Sequence, residues 1–150
     1  MSDLNNSHNT LKRGLVTLLR DKVDGWSFNQ EYNVENVWPK APPTDSDFPF
    51  GTIDIIAGED TELSEDLEIS LREVIVKVLV VSDNNEEPGD FVDKSEDAIR
   101  EFWDSEDNYI GDWTFKSIDG YTPLVENNNE KGKLRYNESR DFVFETVKLS

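Results

Sequence analysis

The chain has 150 residues, with 15 basic and 33 acidic side chains, a net charge of −18, one His, no Cys and 35% hydrophobic residues. That length suits one domain whose core needs no cross-link, and the absence of cysteine excludes disulfides, thiolate metal sites and thiol nucleophiles. A charge of this size repels phosphate backbones and anionic lipid, so neither sequence-specific nucleic acid nor a membrane surface is an expected partner.

Taking the elements in chain order, the first nine residues are polar and predict a flexible tail, followed by a single α+β domain over residues 10–150. Residues 10–23, TLKRGLVTLLRDKV, place Leu11, Leu15, Val16, Leu18, Leu19 and Val23 on one broad helical face, with Lys12, Arg13 and Arg20 toward the other. Asn9 or Thr10 can cap this amphipathic helix, and Asp24-Gly25 stops it. Trp26 and Phe28 are expected to anchor the turn beneath it. Residues 34–38 read as a short strand ended by Pro39, with Pro42 and Pro43 stiffening the loop beyond. Residues 52–56 form a second strand, followed by an acidic turn, GEDTELSED.

The longest strand signal spans residues 67–81. Val74, Val76, Val78 and Val80 share one face, whereas Ile75, Leu79 and Val81 share the other with Lys77. Ile69 and Leu71 have the parity of the second set, which calls for a change of buried face near Arg72 and Glu73 or a bulge. A strand apolar on both faces needs cover on both sides, from helices, from the loop with Phe48 and Phe50 or the Trp113–Phe115 strand folding across it, or from another subunit; on the last reading Ile75, Leu79 and Val81 are the candidate subunit interface. A polar loop over residues 82–89 leads to a helix over residues 94–103, with Asp93 and Glu96 at capping-box spacing and Ala98, Ile99, Phe102 and Trp103 facing inward. Residues 113–118 and 121–125 form one strand or two, split at Asp119-Gly120. After the turn ENNNEKG come residues 134–136 and 141–149, as a broken or continuous last strand. Phe142 and Phe144 share one face of it, and Val143, Val147 and Leu149 the other. The expected fold is a predominantly antiparallel mixed sheet of four to five strands with two helices packed on it, and its core is built from Leu15, Leu18, Leu19, Val76, Val78, Ile99, Phe102, Phe142 and Phe144.

The composition also bears on the chain's setting. Low hydrophobicity and high charge are marks of disorder, but four Trp, four Tyr and eight Phe argue for a folded core. An acidic, lysine-poor skin suits a salt-rich cytoplasm, where repulsion is screened. The opening MSDLNNSHN has no secretion-signal pattern, and no apolar stretch approaches the ~18 residues of a membrane span, so a soluble protein made in a cytoplasm is expected. The acidity is uneven: residues 1–40 hold five basic side chains (Lys12, Arg13, Arg20, Lys22, Lys40) and five acidic ones (Asp3, Asp21, Asp24, Glu31, Glu35), so the excess lies entirely beyond them.

Signals for chemistry are sparse. His8 lies in the polar tail without an orienting partner, and HExxH, GxSxG and glycine-rich phosphate loops are absent. The acidic run from Asp83 has Pro88 where a calcium loop needs Gly, and the run from Asp104 has Tyr109 there. No enzyme activity, metal or cofactor is expected beyond non-specific surface cations.

The element order carries a resemblance. An opening amphipathic helix, Val37-Trp38-Pro39 with Pro42-Pro43 beyond, Phe48-Pro49-Phe50 leading into a strand, a long strand, a second helix and a closing Arg140-Asp141-Phe142-Val143-Phe144-Glu145 strand together resemble the tail terminator (tail completion) proteins of tailed viruses. With the acidic composition, the chain looks like the version carried by a virus of salt-loving archaea. The resemblance implies a non-catalytic, homohexameric ring in the virion tail or neck. Such a ring sits on the head-proximal end of the tail tube, ends tube polymerisation and meets the head-completion or neck proteins. A head-completion or other minor tail protein, or a monomeric acidic binding module, are the alternative readings.

Overall fold

A computed structural model describes residues 6–24, 27–28, 50–64, 69–128 and 134–149. Among these residues, two helices and five strands follow one another as α1 (His8–Lys22), β1 (Ser27–Phe28), β2 (Phe50–Ser64), β3 (Ile69–Ser82), α2 (Glu87–Asp104), β4 (Thr114–Asn128) and β5 (Leu134–Leu149). The strands form one sheet in the order β1-β2-β3-β5-β4. The two-residue β1 pairs parallel with β2, and every other pairing is antiparallel. The fold is therefore α+β, a mostly antiparallel five-stranded sheet with two helices packed on it. The strand expected at residues 34–38 and the anchoring Trp26 lie outside the described residues.

The valine parity of β3 decides which side the helices cover. Directly opposed residues of neighbouring strands share a face, and Val74 and Val76 lie opposite Phe144 and Phe142. Val76, Val78, Val80, Phe142 and Phe144 are fully buried, together with Leu11, Leu15 and Leu19 of α1 and Val92 and Ile99 of α2. Leu18 joins this core, and Phe102 packs against it half-buried, edge-on to Trp103 at 4.7 Å. Both helices lie on this one face. β3 pairs with β5 without a break from Ile69 to Ser82. Its parity therefore never changes, and the irregularities expected near Arg72 sit in β2, after Ile55 and after Glu62.

Several boundaries differ from the sequence expectation. The acidic segment after Ile56 is strand as far as Ser64: Glu59 lies opposite Glu73, and Asp60 opposite Arg72. The Arg72 guanidinium donates to both Asp60 carboxylate oxygens, at 3.0 and 3.3 Å, which offsets one charge of that stretch. α2 begins at Glu87 rather than Lys94, because Pro88 falls in its first turn, where a fixed φ suits the helix and no N–H is required. Asp93 and Glu96 are consequently interior to the helix, and their carboxylates hold Arg140 of β5, each at 2.9 Å. β4 is one strand with three register shifts, and β5 is continuous.

The start of the chain is tied down earlier than its polarity suggests. Ser7, not Asn9 or Thr10, caps α1, its Oγ accepting from the Thr10 N–H at 3.1 Å. Trp113 Nε1 donates to the Ser7 carbonyl at 3.0 Å, and Trp103 Nε1 donates to the Trp113 carbonyl at 2.9 Å. Arg72 donates to the Asn6 carbonyl, and Asn6 Nδ2 to that of Val147. Just before Trp113, Gly111 adopts φ 53°, a left-handed conformation that glycine reaches without strain. Ile110, which opens this turn, presses on α1: a Cβ on Gly14 would lie 2.4 Å from its Cγ2. The glycine that weakens the helix by propensity thus allows the close approach.

Two stability measurements test this packing. Phe144→Ala removes a fully buried ring and is expected to cost roughly 3 to 5 kcal/mol in denaturant unfolding. Gly14→Ala should destabilise by about 1 to 3 kcal/mol through overpacking, despite the better helix propensity of alanine. Combining it with Ile110→Ala should cost less than the sum of the two single changes.

Candidate functional site

The sheet face opposite the helices carries the residues singled out for subunit contact. Successive residues on one face of a strand are about 6.7 Å apart, so the register writes this face as rows crossing the sheet. Glu59, Glu73 and Glu145 form one row. Ala57, Ile75, Val143 and Ser117 form the next. Asp54, Lys77 and Asp141 follow, and then Thr52, Leu79, Ser139 and Thr122. An apolar row thus runs between two rows rich in carboxylate.

Of the three candidate interface residues, Ile75 and Leu79 are half-buried on this face. Val81 is covered within the chain, 7% exposed, and needs no neighbour. Val143 and Ser139 are also buried, so the accessible apolar part narrows to Leu71, Ile75, Leu79 and Val147. Sequence parity missed the large apolar side chains exposed elsewhere, Ile56 and Leu63 on β2, Tyr121 and Val125 on β4, and Tyr109 in the loop after α2. Ile56 and Leu63 are the residues skipped at the two β2 register shifts. Nothing local in the sequence marks a bulge, so alternation alone does not find them.

Charges on the face are arranged across strands. Lys116 reaches the glutamate row, its Nζ 2.7 Å from Glu73 and 3.9 Å from Glu145, and these carboxylates, Glu73 foremost, push the ammonium pKa up. Lys12 of α1 is buried and lies 3.7 Å from Asp54; burial lowers its pKa, against the opposing pull of that carboxylate. Asp141 has a buried oxygen with no hydrogen-bond partner among the described residues. Burial raises its pKa; Lys77 opposes the shift and Asp119 adds to it.

The remaining candidates for chemistry do not converge. His8 packs near Trp113, ring centroids 6.3 Å apart, and burial followed by the nearby Arg72 charge lowers its pKa. It borders a cavity of about 320 Å³ with Gly58, Glu59, Asp60, Arg72 and Val74. Arg72 is already engaged there by Asp60 and the Asn6 carbonyl, so it serves to hold the start of α1. Among the described residues no group of three or more His, Asp or Glu side chains is placed to hold a metal ion, and no helix is long and apolar enough to cross a membrane. Compared with protein-family models and with curated protein sequences, the chain matches none.

The Asp141 shift has a definite sign. A carboxyl whose folded pKa lies above its unfolded value contributes stability in acid that is lost as pH rises through the folded pKa. Asp141→Asn should therefore raise the melting temperature at pH 7. Melting curves taken down to pH ~4 should show the gain fading as the wild-type carboxyl protonates.

Proposed function

We propose that this chain is a structural, non-catalytic subunit of a tailed-virus particle, assembling into a homohexameric ring at the head-proximal end of the tail tube. There it ends tube growth and joins the tail to the head-completion or neck proteins. One observation supports the reading above the others: both helices lie on one face of a sheet that is apolar on two faces, leaving Ile75 and Leu79 half-buried on the side with no helix among the described residues. A closed cyclic assembly covers such a face at every joint and exposes no further surface for growth. The resemblance in element order supplies the tail-terminator assignment, and the acidic surface supplies the salt-rich host, in whose cytoplasm the subunit is made.

The charge sets the conditions of assembly. Like charges on adjacent subunits oppose ring closure, and salt screens them over ~3 Å at 1 M against ~30 Å at 0.01 M. Burying Ile75 and Leu79 in a neighbour contributes on the order of 1.5 to 3 kcal/mol each.

Sedimentation across a salt series tests this. The parent should form rings in molar salt and lose association on dialysis to about 10 mM. Leu79→Asp, which would place an unpaired charge in the joint, should stay folded by circular dichroism yet sediment as monomer in molar salt. A parent that is monomeric at every salt concentration, alone and with tail tubes, would overturn the proposal. A Leu79→Asp variant that still forms the parental ring would remove this face from the joint.

A further inference from the structure

We propose that Asn6, Ser7 and His8 form an acid-released strap: while the His8 imidazole is neutral they fasten the start of α1 across the sheet, and its protonation frees them. The device belongs to the single chain and does not depend on assembly.

The strap reaches three parts of the fold. The Asn6 carbonyl accepts from Arg72 of β3 at 3.3 Å, and Asn6 Nδ2 donates to the Val147 carbonyl of β5 at 3.2 Å. The Ser7 carbonyl accepts from the Trp113 indole at 3.0 Å and from the Leu11 N–H at 3.3 Å, while Ser7 Oγ accepts from the Thr10 N–H. These bonds close the first turn of α1 against β3, β5 and the turn before β4. A fastening made of a few polar bonds opens locally at a smaller cost than the apolar core beneath it.

His8 stands where a new positive charge is opposed from several sides. It is half-buried in the first turn of α1, at the positive end of the helix dipole. Its ring packs 6.3 Å from that of Trp113, and with Arg72 it lines the cavity of about 320 Å³ beside β2 and β3. Of the carboxylates nearby, Asp60 has both oxygens engaged by that same Arg72, whereas Glu59 and Glu145 lie on the opposite sheet face in the row with Glu73. Lys12, one turn along α1, is buried and faces Asp54, and Asp112 beside Trp113 is exposed. Burial, then the Arg72 charge, lowers the His8 pKa from its ordinary 6.5 against the pull of Asp60. Burial leads, so the device survives screening in molar salt.

The sign follows from linkage. The released strap holds the ordinary histidine pKa and binds the proton more tightly than the docked one, so docking weakens as pH falls through 6.5 toward the docked value. Above 6.5 the strap is held in full. Burial raises the pKa of Asp141 and of Glu138, so protonation of these carboxyls acts in the opposite direction and favours the folded domain. Global melting curves therefore mix two signs, and a local measurement is needed.

Hydrogen exchange read by mass spectrometry supplies one in any assembly state. Slow exchange of the imidazole C2–H gives the pKa of His8, the one histidine of the chain, expected below 6.5. Amide protection in the peptide carrying Thr10 and Leu11, corrected for intrinsic exchange, should fall between pH 7 and about pH 5, by up to about tenfold for each unit by which docking lowers that pKa. In His8→Gln, which stays neutral, protection of the same peptide should hold its pH 7 level across that range. A His8 pKa at or above 6.5, protection in the parent that does not change with pH, or a loss that His8→Gln shows equally would overturn the strap. Should His8→Gln fail to fold by circular dichroism, the parent decides alone: protection must begin to fall near 6.5 and level off at the docked pKa, and any other profile overturns the proposal.

Discussion

The placement of both helices on one side of the sheet governs the rest of this structure. Val74, Val76, Val78 and Val80 on β3, with Phe142 and Phe144 on β5, make a continuous apolar surface that α1 and α2 seal completely. The chain has no third helix among its described residues to treat the other surface in the same way. What remains there is a striped face, half-buried and charged in bands, on a subunit whose core is otherwise closed.

Charge is distributed in a way that stability alone does not demand. Pairing Arg140 with Asp93 and Glu96 fastens α2 to β5, and Arg72 with Asp60 fastens the β2–β3 hairpin beside the start of α1. These pairs have an evident structural use. Three glutamates in line across the sheet are offset only in part, by Lys116 against Glu73 and Glu145.

The parts of the fold legible in the sequence were those set by local periodicity. Alternation along β3 and β5 identified the buried valines and phenylalanines, and 3.6-residue spacing identified the inward faces of both helices. The features that escaped depend on distant partners. The acidic stretch from Glu59 to Glu62 reads as a turn until β3 pairs with it and Arg72 meets Asp60. The polar start of the chain reads as a tail until Trp113, 106 residues away, donates to the Ser7 carbonyl. For the candidate interface, parity placed Ile75 and Leu79 on the open face but could not distinguish them from Val81, which the chain itself covers. The exposed Ile56 and Leu63 arise from bulges, which alternation does not encode.

The proposed ring requires that a neighbouring copy cover Ile75 and Leu79 on the sheet face opposite the helices. An electron-microscopy reconstruction of the protein in molar salt tests it most directly. Closed rings in which each subunit covers Ile75 and Leu79 of the next are expected; isolated subunits, or rings in which those side chains face solvent, would contradict it.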